Sequence, residues 1–192
     1  GSNFLKAGIG YGGSCFPKDT KALNFQSDHA GVKLKTVKAT IDVNREQRTR
    51  LIDKARRFFP TFRDVRVAII GLTFKPGTDD LREAPAKQNI DILLNEGADI
   101  IAWDPLGAEN FRKRYPNCAI NFAKDIDEAL TDADVCLIMT EWEKIVEYPL
   151  DNYKKYMRRP LVFDGRNCYK LSEVEKHEIF YDSIGRKIVD TL

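Results

Sequence analysis

"VRVAIIGL", residues 65–72, decides the fold. The stretch is apolar apart from Arg66, and Gly71 breaks it. A short run of β-branched residues closed by a glycine reads as a strand buried on both faces, followed by a turn. The next stretch has another period: "EAPAKQNIDILLNEGA", residues 83–98, repeats its apolar positions as a helix does and ends near Gly97. "DIIAWDP" (99–105) is a second strand, residues 107–115 and 125–131 are helical, and "DVCLIMT" (134–140) is a third long strand. "PLVFDGRN" (160–167) and "IFYDSIG" (179–185) supply two more. Strands alternating with helices predict an α/β domain, a Rossmann-like parallel sheet with flanking helices. Ligands in such sheets bind beyond the carboxyl ends of the strands. Those ends are Gly71–Lys75, Trp103–Pro105, Thr140–Trp142 and Asp164–Asn167.

Between residues 19 and 59 the pattern is helical. Residues 19–30 read as a short helix, with Asp19 at the N-cap and Gly31 at the stop. Residues 33–59 read as one long helix ended by Pro60. Val37, Ile41, Asn44, Leu51, Ile52, Ala55 and Phe59 share one face. That stripe requires a partner, from this chain or from another. The division expected is therefore 1–60, a loop with helices, and 61–192, the sheet.

The 192 residues are 43% hydrophobic and 31% charged with a net charge of +2, an ordinary balance that gives no case for nucleic acid. No apolar run reaches the roughly 18 residues of a membrane helix, and residues 1–15 do not have the layout of a signal peptide. The four cysteines are widely spaced and the two histidines stand apart, so neither disulfides nor a metal site is expected.

Ahead of the helices lies "GIGYGGSCFPKDTKAL", residues 8–23. Gly8, Gly10 and Gly13 satisfy G-x-G-x-x-G, yet no buried strand precedes them, so the dinucleotide reading is rejected. Cys15 is the stronger signal. It lies before a helix and beside Lys18, two features that favour a thiolate. It is either a nucleophile or a free thiol in a turn. Cys136, inside a strand, is a small hydrophobe. Asp19 either caps the helix or serves as a base near the thiol. In "GLTFKPGTDDLREAPA" (71–86), Lys75 and Arg82 are suited to phosphates. Asp79 and Asp80, adjacent before a helix, read as caps rather than a metal pair. Arg166 in "FDGRN" follows a strand end and is placed to reach an anion.

"FLKAGIGYGGSCFPKDTKAL", "GLTFKPGTDDLREAP" and "VFDGRN", in this order, resemble the UDP-glucose 6-dehydrogenases of the UDP-glucose/GDP-mannose dehydrogenase superfamily. The resemblance covers essentially the whole chain but only the later part of such enzymes. It implies an inactive C-terminal fragment of a cytoplasmic, NAD-dependent enzyme that oxidises UDP-glucose twice at C6. It implies dimerisation about the central helix, here residues 33–59. Cys15 matches the family nucleophile and Asp19 the aspartate that assists the water. Lys6, Ala7, Gly8, Ile9, Gly10, Tyr11 and Gly12, with Phe74, Lys75 and Arg166, match sugar-nucleotide contacts. Cys15, Lys18 and Arg82 match positions facing NAD. The NAD fingerprint and the remaining catalytic residues belong upstream of Gly1. The rival readings are a GDP-mannose enzyme and a non-catalytic nucleotide-binding or oligomerisation module.

Overall fold

The computed structural model describes residues 5–192; the Gly1-Ser2 pair and the first residue of the "FLKAG" motif, Phe4, lie outside the described residues. Three helices come first: α1 (Cys15–His29), α2 (Lys35–Gln47) and α3 (Arg50–Ala55). Next come β1 (Arg66–Ile70), α4 (Pro85–Asn95), β2 (Asp99–Trp103), α5 (Gly107–Arg114), β3 (Asn121–Phe122), α6 (Ile126–Leu130) and β4 (Val135–Ile138). The last are α7 (Glu143–Val146), α8 (Asp151–Tyr156), β5 (Leu161–Asp164), α9 (Leu171–Val174), β6 (Phe180–Ser183) and β7 (Val189–Asp190).

The strands form one sheet in the order β3-β2-β1-β4-β5-β6-β7. All neighbours are parallel except β6 and β7. The order of the first six is that of a doubly wound dinucleotide-type sheet, in which the strand order reverses between β1 and β4 and opens a crevice there. Alternate residues face opposite layers, as a pleat requires. Val67 and Ile69 of β1 and Val135 and Leu137 of β4 pack under α3 and α4, against Leu51, Ile52, Ile90 and Leu93. Ala68, Ile70, Cys136 and Ile138 face α6 and α8, against Ala129, Leu130 and Tyr153. Burial on both faces is why the strand sequences read as unbroken apolar runs.

The helical segment departs from the sequence reading in two ways. Helix α1 begins at Cys15, not Asp19, with Ser14 at its N-cap position and no side-chain cap bond. Pro17 therefore sits inside the first turn. It is tolerated there because amides at that end have no intrahelical partner. The long helix expected over 33–59 is present as two segments, α2 and α3, parted at Arg48-Thr49. The physical reason is Asn89 of α4, wholly buried, whose Nδ2 donates to the Arg48 carbonyl at 2.8 Å and to Pro85 O at 2.8 Å. A side chain inserted into the helical ladder bends it. The apolar stripe is thereby divided. Leu51, Ile52, Ala55 and Phe59 are buried in this chain's own core, while Val37 and Ile41 stay half-buried. Lys54 pairs at 2.7 Å with the buried Asp182 at the end of β6, and Arg57 pairs with the same carboxylate, locking α3 to the sheet.

Candidate active site

The glycine loop, residues 6–14, lies across the carboxyl ends of the strands. Ile9 is its anchor: the side chain is fully buried in the core and its amide donates to Gly165 O at 2.9 Å. Backbone groups of the loop are then held from several sides. Gln47 Nε2 donates to Gly8 O at 3.1 Å, and Arg166 Nη1 to Gly10 O at 3.1 Å. Asn44 of α2 accepts from Tyr11 N at 2.8 Å and donates to Tyr11 O at 3.2 Å. Gly13 N donates to Arg82 O at 2.8 Å. Two glycines are required by this packing. Gly10 has φ +91° with Asn44 Oδ1 directly where a Cβ would stand. A Cβ on Gly12 would lie 2.5 Å from Glu83 O and 3.0 Å from the Phe74 Cβ. Close approach here is to the protein's own backbone and to Phe74.

The loop delivers Cys15 as the first residue of α1, exposed, with Ser14 Oγ 3.8 Å from its Sγ. The 15-residue helix directs its N-terminal amides toward this end. Asp19 stands one turn further on, and residues four apart share a helix face, so thiol and carboxylate lie on the same side of α1. The Asp19 carboxylate pairs with Lys18 Nζ at 3.2 Å in solvent.

The opposite wall comes from the strand ends, and one carboxylate organises it. Asp104, 5% exposed at the end of β2, accepts from Leu72 N (2.7 Å), Thr73 N (3.2 Å), Leu106 N (3.0 Å), Gly107 N (2.6 Å) and Trp142 Nε1 (3.1 Å). It thus joins the loops after β1, β2 and β4. Thr140 Oγ1 adds a bond to Thr73 O at 2.5 Å. On this base stand Phe74, against Gly12 and Gly13, and Lys75, exposed over the Phe74 ring at 5.3 Å. Arg166 completes the wall. Its amide is held by the buried Asp164 (2.7 Å), its Nε donates to Met139 O (2.9 Å), and its side chain is 12% exposed. Burial pulls its pKa down, while Glu141, 3.3 Å away, favours the charged form.

Loop and wall enclose a cleft of about 860 Å³. Lys6, Gly8, Gly10, Tyr11, Gly12, Cys15, Phe74, Lys75 and Arg166 all line it, with Glu141 and Asp80. A second cavity of about 420 Å³ lies across Gly13-Ser14, lined by Lys18, Lys21, Arg82, Glu83 and Arg114. Arg82 forks onto Asp80 (2.7 and 2.9 Å); that bond, with a smaller contribution from Cys15, raises its pKa.

A profile of the UDP-glucose/GDP-mannose dehydrogenase family, UDP binding domain, matches residues 68–171, and the family's central-domain profile matches residues 1–46. The chain belongs to the UDP-glucose/GDP-mannose dehydrogenase family. UDP-glucose 6-dehydrogenase YwqF of Bacillus subtilis is 43% identical over 98% of this chain and 43% of its own length. A UDP-glucose 6-dehydrogenase of Rhizobium meliloti is 41% identical over 97% of this chain and 42% of its own. This chain thus spans less than half the length of these relatives. A UDP-glucose dehydrogenase structure from Pyrobaculum islandicum superposes with a TM-score of 0.81 at 28% identity, over 95% of this chain and 39% of that one.

Against the family pattern, nine of the proposed contact residues share one cleft. Ile9 is buried in the core between the sheet and its helices rather than in the cleft, and Ala7 lines a neighbouring cavity beside α2. Lys18 and Arg82 line the second cavity, and Asp19 lines neither. Sequence reading missed Asn44 as the loop's clamp, Asp104 as the tie among three loops, and Glu141 beside Arg166. The signal for the last two was their place at strand ends, Asp104 directly after β2 and Glu141 three residues past β4. Among the described residues no helix is long and apolar enough to cross a membrane, and no cluster of three His, Cys, Asp or Glu could hold a metal ion.

Proposed function

We propose that this chain is the C-terminal part of an NAD-dependent UDP-glucose 6-dehydrogenase, with residues 1–60 its cysteine loop and central helices and 61–192 its UDP-binding domain. The observation that carries this reading is the single cleft shared by the exposed Cys15, at a helix N-terminus, and by Phe74, Lys75 and Arg166 at the strand ends. Lys75 and Lys6 suit the diphosphate, and Cys15 suits the hexose C6. The alcohol at C6 loses a hydride and a proton and becomes an aldehyde. The Cys15 thiolate adds to that carbonyl carbon, and the oxygen takes a proton, giving a thiohemiacetal. Loss of a second hydride and the hydroxyl proton leaves a thioester. Water, deprotonated with the help of Asp19, attacks the acyl carbon, and the Cys15 sulfur departs as thiolate.

The chain's own sheet does not suit the dinucleotide. After β1 there is no G-x-G-x-x-G, α4 starts only at Pro85, and Asp104, at the position where such folds read a ribose, is engaged by backbone amides and Trp142. The cavity bearing Lys18, Lys21, Arg82 and Arg114 does suit part of an anionic nucleotide. Lys18 and Arg82 would hold NAD there, and the cofactor would supply the hydride acceptor. This chain offers one wall of that site, so no turnover is expected from it alone. Residues 33–59 are proposed to dimerise through the α2 surface, where Val37 and Ile41 are half-buried and Val43, beside that stripe, is 61% exposed. A cytoplasmic enzyme fits the same reading.

Calorimetric titration with UDP-glucose, UDP, GDP-mannose and NAD tests the proposal. UDP and UDP-glucose are expected to bind and GDP-mannose not to. Preference for GDP-mannose moves the assignment to that branch of the family. Steady NADH production from NAD and UDP-glucose, proportional to this chain, would overturn its inactivity.

A further inference from the structure

Two buried polar atoms at one end of the cleft lack hydrogen-bond partners among the described residues: Arg166 Nη2 and Glu141 Oε2. Their side chains lie together, with Arg166 Nε 3.3 Å from Glu141 Oε2, but that N–H is directed at Met139 O, 2.9 Å away. Each unmet group is costly unless something else pairs with it. The two therefore present a donor beside an acceptor. As an ion pair they are close to neutral, which makes them a poor seat for a diphosphate. Lys6 and Lys75, which line the same cleft, have no carboxylate within ion-pair reach among the described residues, and are the better one.

The position along the cleft says which part of a ligand the pair would meet. Arg166 touches the loop at Gly8 and Gly10, Phe74 touches it at Gly12 and Gly13, and Cys15 comes next. With the reacting sugar at Cys15, the Arg166–Glu141 end takes the opposite end of the molecule. We propose that Glu141 is a nucleoside-reading residue: with Arg166 it binds a neutral group carrying a donor next to an acceptor. A ribose diol and the imide edge of a pyrimidine both have that chemistry. The inference rests on the sugar-nucleotide reading given above.

Calorimetry on Glu141→Ala and Glu141→Gln, with UDP, 2′,3′-dideoxy-UDP, CDP and inorganic diphosphate, tests it. Glu141→Ala is expected to weaken UDP about tenfold, in the range of one hydrogen bond to a charged group, and to leave diphosphate within about twofold. One analogue is expected to bind the parent protein about tenfold worse than UDP and to lose nothing more in Glu141→Ala. Loss with the dideoxy compound identifies the ribose, and loss with CDP the imide. Glu141→Gln, of the same shape and still an acceptor, recovers part of the loss and carries the test if the alanine variant does not fold. Unchanged UDP affinity, equal loss of UDP and diphosphate, or a further tenfold loss with both analogues would each overturn the assignment while leaving the sugar-nucleotide reading intact. Failure of the parent protein to bind UDP would remove both.

Discussion

Replacing Ile9 by alanine probes whether the glycine loop belongs to the folded core. The Ile9 side chain is fully buried, its amide is bonded to Gly165 O, and its branch fills the space where a Cβ on Gly165 would stand, 2.8 Å from Cδ1. Ile9→Ala removes three buried carbons and leaves a void beneath the crevice. Isoleucine-to-alanine changes in cores cost about 2–5 kcal/mol, and ~3 kcal/mol suits a site walled by backbone that cannot close in. For a domain of this size each kcal/mol lowers Tm by about 2–4 °C, so a fall of about 6–12 °C is expected. Thermal unfolding followed by far-UV circular dichroism reads it directly. A variant melting within a degree of its parent would refute the reasoning, because a docked Ile9 cannot be truncated without effect. Tyr11→Ala, on the same loop but half-buried, is the control and is expected to cost less.

Iodoacetamide mapping at mildly acidic pH is expected to label Cys15 first: it is exposed at a helix N-terminus, whereas burial raises the thiol pKa of Cys118, Cys136 and Cys168. Faster labelling of Cys118 or Cys168 would contradict this. The Glu83 carboxyl is pushed up by burial, but bonds from Arg48 and Lys21 outweigh that, and its pKa is lowered overall. A carboxylate with a depressed folded pKa contributes stability above its unfolded pKa of about 4.3 and loses it as pH falls through the folded value. Glu83→Gln should therefore flatten the acid limb of urea-measured stability and leave the neutral-to-basic limb parallel to the parent; an unchanged acid limb would count against the pairing. Sedimentation at high micromolar concentration is expected to give a dimer that Val43→Asp dissociates, and a strict monomer would count against the α2 surface.

The strands and their carboxyl ends were legible because burial on both faces writes itself as apolar runs. The same runs located Arg166 and Lys75. The start of α1 was not legible: Pro17 looks like a boundary, and only the missing amide partners of a first turn make it acceptable there. The break at Arg48-Thr49 depends on Asn89, some 40 residues away in the chain, and no local pattern records it. The sequence signalled that the glycines mark a close approach. It could not signal that at Gly10 and Gly12 the approaching atoms are Asn44, Glu83 and Phe74. Glu141 was hidden for a related reason, since a lone glutamate after a strand is ordinary until its neighbour is known.

The bonding of Asp104 bears on how such a domain can change over evolutionary time. A sheet wound in this order elsewhere offers the carboxylate after its second strand to an incoming ribose. Here that carboxylate is a keystone beneath three loops, and the turn after β1 is long where a dinucleotide needs it short. Freeing the carboxylate alone would let the loops fall apart, and shortening the turn alone would strand the carboxylate without donors. Neither single step is neutral. The domain is thus held on one side of a two-step barrier, kept in its present form by the architecture of its floor rather than by the residues that line the cleft above it.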